Sequence, residues 1–127
     1  AEYPEKPVRL IVLRRQAEQL KKFFGITIEI VSDSAFDLSD RLAAEVFQIV
    51  NEGMSNIRKH TTAREGRVTL VCDAHALSIS IENAGETSSR VEFMPASIAE
   101  RAMALGGRVR VSQGADGATA VHIEIPV

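Results

Sequence analysis

Runs of alternating apolar and polar residues, the pattern of strands with one buried face, come in adjacent pairs in the second half of this 127-residue sequence. Residues 67–73 and 77–83 form one pair, and a second pair flanks the turn at residues 113–118. Strands joined by so few residues predict antiparallel hairpins. The sequence therefore favours a mainly antiparallel sheet over a doubly wound parallel one.

Three other stretches carry apolar residues at the three- and four-residue spacing of amphipathic helices. They cover residues 8–24, about 37–60 with Asp37 and Ser39 as possible N-caps, and 97–105. Ser97 and Glu100 form a capping box at the start of the third stretch, and Gly106 with Gly107 should end it.

A short strand containing Ile26, Ile28 and Ile30 follows the first helix. The order is then helix, strand, helix, hairpin, helix, hairpin. This order predicts an α+β fold, a two-layer α/β sandwich in which a mixed, mainly antiparallel sheet of about five strands is covered on one face by the helices.

Composition narrows the classes of function. The formal charge of −2 excludes a strongly basic nucleic-acid binder, so we expect no nucleic-acid partner. No apolar run approaches the ~20 residues of a membrane span, so we expect no membrane insertion. Cys72 is the single cysteine, which excludes an intrachain disulfide and fits a cytoplasmic location. We expect residues 1–127 to be one domain, and a piece of a longer protein.

A polar line runs along the second predicted helix. Glu52, Asn56 and His60 follow at four-residue steps, which places them on one stripe. A glutamate can act as a base, an asparagine oxygen can bind Mg²⁺, and His60 or neighbouring Lys59 can meet a phosphate. A solvated helix face explains the same stripe.

A polar residue also lies on the inward side of a strand. Asn83 shares the parity of the apolar residues before it and stands where the strand ends, so its amide needs a partner. That partner could be a loop backbone or the amino group of a ligand. Thr119 has the same inward parity on the last strand, and Gly85 would let a ligand approach the backbone.

Several segments together resemble one family. VFQIVNEGMSNIRKH, residues 46–60, resembles the N box of the GHKL ATPases, and closely that of bacterial two-component sensor histidine kinases paired with helix-turn-helix regulators. ISIENAG resembles the first glycine box, SIAERAMALGGRVRV the helix and strand after the ATP lid, and GATAVHIEIP the closing strand. The likeness covers residues 10–127, with the boxes in the family's order.

This resemblance implies an ATP-binding catalytic domain. Such a domain binds Mg-ATP and passes the γ-phosphate to a histidine on the dimerisation domain of the same protein. A response regulator would be an indirect partner of the catalytic domain. By the same resemblance, Glu52 would orient or deprotonate a reacting group in phosphoryl transfer. Asn56 would bind the Mg²⁺ that accompanies ATP. The remaining residues of the implied site are Lys59 and His60 near the phosphates, Asn83 at the adenine amino group, Gly85 in the glycine box, and Thr119 beside the adenine.

The sequence also departs from the family pattern. Asn83 replaces the usual aspartate, the glycine box lacks its second glycine, and residues 93–97 read FMPAS where relatives have Gly-x-Gly-Leu. Pro95 has no N–H to offer a phosphate. Two alternatives therefore stay open: a degenerate GHKL module with weak or no ATP binding that acts by protein contact, and a GHKL serine kinase of the anti-sigma type.

Overall fold

A computed structural model describes residues 5–32, 40–61, 63–83, 96–114 and 118–127, with only the backbone described for residues 5–10, 40 and 60. The elements are α1 (Glu5–Phe24), β1 (Thr27–Ser32), α2 (Asp40–His60), β2 (Glu65–Cys72), β3 (Ala76–Asn83), α3 (Ala96–Ala104), β4 (Arg108–Gln113) and β5 (Thr119–Pro126). The predicted order of elements is confirmed.

The strands form one five-stranded sheet in the order β1-β2-β3-β5-β4. Strand β1 pairs in parallel with β2, and the other three pairings are antiparallel. Helix α1 packs on β1, α2 on β3, and α3 on β4 and β5. The predicted two-layer α+β sandwich with a mixed sheet is confirmed.

The core lies between the helices and the inward face of the sheet. The first hairpin has one buried face on each strand, as its alternating residues predicted. Val68, Leu70, Leu77, Ile79 and Ile81 are all buried, while Cys72 is half-buried at the core margin. Helix α2 buries apolar residues at the predicted helical spacing, and these are Ala43, Val46, Ile49, Val50, Met54 and Ile57.

Helix α3 begins at Ala96, one residue before the predicted capping box, so Ser97 lies inside its first turn. Its end is as predicted. Gly106 has a left-handed φ of 81°, and the N–H of Gly107 donates to the carbonyl of Ala102 at 2.8 Å. This bond satisfies a carbonyl group of the last turn, and the left-handed backbone at Gly106 directs the chain into β4.

Helix α1 begins at Glu5, earlier than predicted, and the possible N-caps Asp37 and Ser39 lie outside the described residues. Within the described ranges, none of the helices combines the length and the apolar character that a bilayer span requires.

Candidate functional site

Asn83 and Thr119 are direct cross-strand partners. The register of β3 and β5 pairs them, and the register of β2 and β3 pairs Asn83 with Gly66 on its other side. Residues opposite each other in an antiparallel ladder point to the same face of the sheet. The amide of Asn83 therefore stands between a hydroxyl-bearing residue and a glycine, and the side chains of Ile28 and Ile57 fill the space over that glycine.

The amide of Asn83 is buried and incompletely bonded. The residue is only 5% exposed, and it is the buried polar residue of the described core. Within the ranges that the structure describes, no group hydrogen-bonds to its Nδ2. Because an unpartnered buried donor costs about 1–3 kcal/mol, this nitrogen needs an acceptor from outside the described part of the chain.

The second half of α2 crosses the same end of the sheet. A Cβ added at Gly53 would collide with the side chain of Ile81, two residues before Asn83. A Cβ added at Gly66, beside Asn83, would lie 3.0 Å from Cδ1 of Ile57. Residues 53–57 of α2 therefore lie over the strand ends that carry Asn83.

Glu52 and Asn56 are half-buried on one flank of α2. Glu52 is held by α3, since Nε of Arg101 donates to its Oε1 at 3.0 Å. The same guanidinium reaches Oε1 of Glu45 at 3.4 Å through Nη1. One arginine of α3 therefore joins two carboxylates that are two turns apart on α2.

The other predicted residues are placed less completely. Lys59 is exposed, and His60 is the last residue of α2, with only its backbone described. Gly85 lies outside the described residues. In the described part of the chain, no three His, Cys, Asp or Glu side chains come together as a metal site.

A cleft of about 520 Å³ opens at this end of the sheet, a volume within the range of small-molecule sites. Its walls include Asn83, Thr119 and Gly66, together with neighbouring residues of the five strands. Among the described residues, those that line the cleft lie on the strands and beside the turn between β4 and β5, and none of them lies on α2. The expected site that combines Asn83 with the polar residues of α2 therefore stays a prediction.

Two features of this region were missed by the sequence reasoning. The ion pairs of Arg101 with Glu45 and Glu52 join two different helices, and the spacing of charges within either helix does not indicate them. Gly66 could have been found because a glycine inside a strand often marks a close approach of other groups.

No protein-family model matches the sequence, and no curated protein matches it. Solved structures do. The Acinetobacter baumannii histidine kinase AdeS aligns with a TM-score of 0.75 at 13% identity, covering 94% of this chain and 64% of that one. The histidine kinase domain of the Erythrobacter litoralis EL346 blue-light activated histidine kinase aligns at 0.66 with 23% identity, covering 90% and 62%.

The ATP binding domain of PrrB from Mycobacterium tuberculosis aligns with a TM-score of 0.69 at 18% identity, covering 90% of both chains. This chain therefore has the fold of the catalytic domains of histidine kinases, and it spans less than two thirds of the AdeS and EL346 structures. The predicted likeness to GHKL catalytic domains is confirmed at the level of the fold.

Proposed function

We propose that this chain is the ATP-binding catalytic domain of a sensor histidine kinase and works in the cytoplasm. It binds Mg-ATP and transfers the γ-phosphoryl group to a histidine of a dimerisation domain in the same protein. The observation that carries the proposal is the buried amide of Asn83. Its Nδ2 has no partner among the described residues, and it stands beside Thr119 at the sheet end that α2 crosses.

The donor set at the strand ends fits an adenine base. The amide oxygen of Asn83 can accept from an exocyclic amino group while its Nδ2 donates to a ring nitrogen, and the hydroxyl of Thr119 can do either. Gly66 adds no polar side chain beside the amide, and the apolar atoms of Ile28 and Ile57 lie over it. A planar base buried against apolar side chains and fixed by a few polar atoms is the usual design of such sites.

The flank of α2 fits the phosphate end. When bound, Mg-ATP supplies the phosphoryl group and a cation that neutralises its charge. The amide oxygen of Asn56 is a suitable ligand for that hard cation. The carboxylate of Glu52 accepts a hydrogen bond from the attacking imidazole and orients it, while Arg101 fixes the position of the carboxylate.

Titration calorimetry with a nonhydrolysable ATP analogue tests the proposal. Asn56→Ala should weaken Mg²⁺-dependent binding at least about tenfold, because a cation ligand is lost. Asn51→Ala is the matched control, since Asn51 is also half-buried on α2 but lines the groove toward α1. Absence of binding at millimolar Mg-ATP, or equal losses in both variants, would contradict the proposal.

A degenerate module that acts by contact with its partner domain is the second candidate. It is favoured by the ion pair of Glu52 with Arg101, which occupies the predicted base, and by Pro95 in place of a lid glycine. Under this alternative Glu52→Ala and Asn83→Ala leave partner signalling unchanged. If labelled ATP is consumed instead, acid-labile phosphate on the partner indicates a histidine kinase and acid-stable phosphate a serine kinase.

A further inference from the structure

The inference concerns which purine the site takes, and it rests on the proposed function. We propose that Asn83 makes the base site accept 6-oxo purine nucleotides, such as those of guanine and hypoxanthine, alongside adenine nucleotides. The buried Nδ2 of Asn83 is a donor without an acceptor among the described residues.

A carboxylate and a carboxamide read position 6 of a purine differently. An ionised carboxylate only accepts hydrogen bonds, so it can pair with the 6-amino group of adenine and repels a 6-oxo group. A carboxamide carries one acceptor and two donors. Its Nδ2 can therefore donate to a 6-oxo oxygen while its Oδ1 accepts from the adjacent ring N1–H.

The same carboxamide also matches adenine. Turned by half a rotation, its Oδ1 accepts from the 6-amino group while its Nδ2 donates to ring N1. Adenine thus presents a donor at position 6 and an acceptor at N1, whereas a 6-oxo purine presents an acceptor at position 6 and a donor at N1. An amide that can adopt two orientations can bond to both.

The surroundings of Asn83 leave both orientations open. Within the described ranges, Nδ2 has no protein acceptor that would fix the amide in one orientation. On one side, Gly66 has no side chain, and the apolar atoms of Ile28 and Ile57 that fill the space over it neither donate to the amide nor accept from it. On the other side stands Thr119, whose hydroxyl can turn to donate or to accept as the amide requires.

The first test varies the ligand and leaves the chain unchanged. Calorimetry compares Mg-ATP, Mg-ITP and Mg-GTP, where ITP carries the 6-oxo group without the 2-amino group of guanine. We expect the affinities for ATP and ITP to agree within about tenfold, because each purine forms two hydrogen bonds with the amide. Purine riboside triphosphate, which has no 6-substituent, should bind more weakly than both.

The second test changes the residue. Asn83→Asp removes the donor, so it should keep ATP binding and weaken the binding of ITP and GTP. We expect the loss to be at least tenfold relative to ATP, because a lost buried hydrogen bond commonly costs about tenfold or more in affinity. Circular dichroism and an unfolding curve establish that the variant folds. Should it not fold, the ligand series on the unchanged chain decides the question alone.

The two proposals fail in different ways. If ATP binds and ITP and GTP bind more than a hundredfold more weakly, the inference about the base is overturned and the proposed function stands. If no nucleotide binds, both are overturned. If ATP and ITP bind alike and Asn83→Asp separates them, the inference is supported.

Discussion

Nε of Arg101 on α3 donates to Oε1 of Glu52 on α2 at 3.0 Å, and this contact joins the two helices at the predicted catalytic residue. Glu45 shares the same guanidinium at 3.4 Å. The three side chains are between about a third and two fifths exposed, with 38% for Arg101, 36% for Glu45 and 32% for Glu52. The network therefore lies at the boundary between core and solvent, where a ligand can reach it.

The pair of carboxylates offers a matched test of the catalytic role. Glu52→Gln should abolish transfer of phosphate to the dimerisation domain, because the amide cannot orient and deprotonate an imidazole. Glu45→Gln removes the same charge from the same helix and the same arginine, but we expect phosphotransfer to be kept. Acid-labile ³²P on the partner domain measures both variants.

The stability of the two variants separates structure from catalysis. Each loses one half-exposed ion pair, so each should lower the free energy of unfolding by no more than about 1 kcal/mol in urea titrations. A large loss of stability confined to Glu52→Gln would mean that the activity loss reports folding. Equal activity in both variants would contradict a catalytic role for Glu52.

Asn83 is predicted to lower the stability of the unliganded chain and to be required for nucleotide binding. Asn83→Leu replaces a buried amide by an apolar side chain of similar shape and removes an unpartnered donor, so the unliganded chain should gain about 1 kcal/mol. The rise in Tm on adding Mg-ATP should disappear at the same time. Differential scanning calorimetry with and without nucleotide measures both effects.

Asn51→Leu is the control for this trade. Asn51 lines the groove between α1 and α2, away from the sheet, so the rise in Tm with nucleotide should survive there. An Asn83→Leu chain that loses stability without ligand would indicate that a segment outside the described residues bonds Nδ2. A variant that keeps the full nucleotide shift would exclude Asn83 from the site.

Periodicity was enough to predict most of the fold. The alternation of Leu77, Ile79 and Ile81 predicted which face of β3 is buried, and it placed Asn83 on that face. This works because strand and helix periods depend only on local geometry. Parity also predicted that Thr119 lies on the inward face of its strand. Its pairing with Asn83 brings the two residues together once β3 and β5 are neighbours.

Long-range contacts were not predictable in the same way. The sequence does not specify that Arg101 reaches Glu52, because that depends on how α3 is placed beside α2. It equally does not specify that Ile57 lies over Gly66. The polar stripe of α2 was visible as a pattern, but the relation of Asn56 to Asn83 depends on the crossing of helix and sheet, which no local period encodes.

The contact between α2 and β3 predicts a sharp effect at Gly53. Gly53→Ala adds a methyl group that collides with Ile81 and pushes the helix away from the strand. We expect a loss of about 1–3 kcal/mol in the free energy of unfolding, since the core is close-packed at this point. Chemical denaturation of the variant measures the loss.

A double-mutant cycle identifies the cause. Ile81→Val removes the Cδ1 atom nearest to the added methyl group, so the double variant should recover part of the loss caused by Gly53→Ala. Additive losses would show that the cost comes from elsewhere in the helix. Ile79→Val, at a buried position of the same strand, is the control and should not rescue Gly53→Ala.

The turn between β2 and β3 predicts a pH dependence. The N–H groups of His75 and Ala76 donate to Oδ1 of Asp73 at 2.7 and 2.8 Å, and these bonds lower the pKa of Asp73 below its ordinary value of 3.8. Because the pKa is lower in the folded state, the carboxylate contributes stability above pH 3.8 that is lost as the pH falls through the folded value.

Asp73→Asn keeps an acceptor oxygen but cannot titrate. The Tm of the unchanged chain should therefore exceed that of Asp73→Asn at about pH 6, and the difference should shrink as the pH falls below 3.8. A difference in Tm that stays constant over this range would contradict the assignment, and a carboxyl-carbon NMR titration of Asp73 would locate the pKa directly.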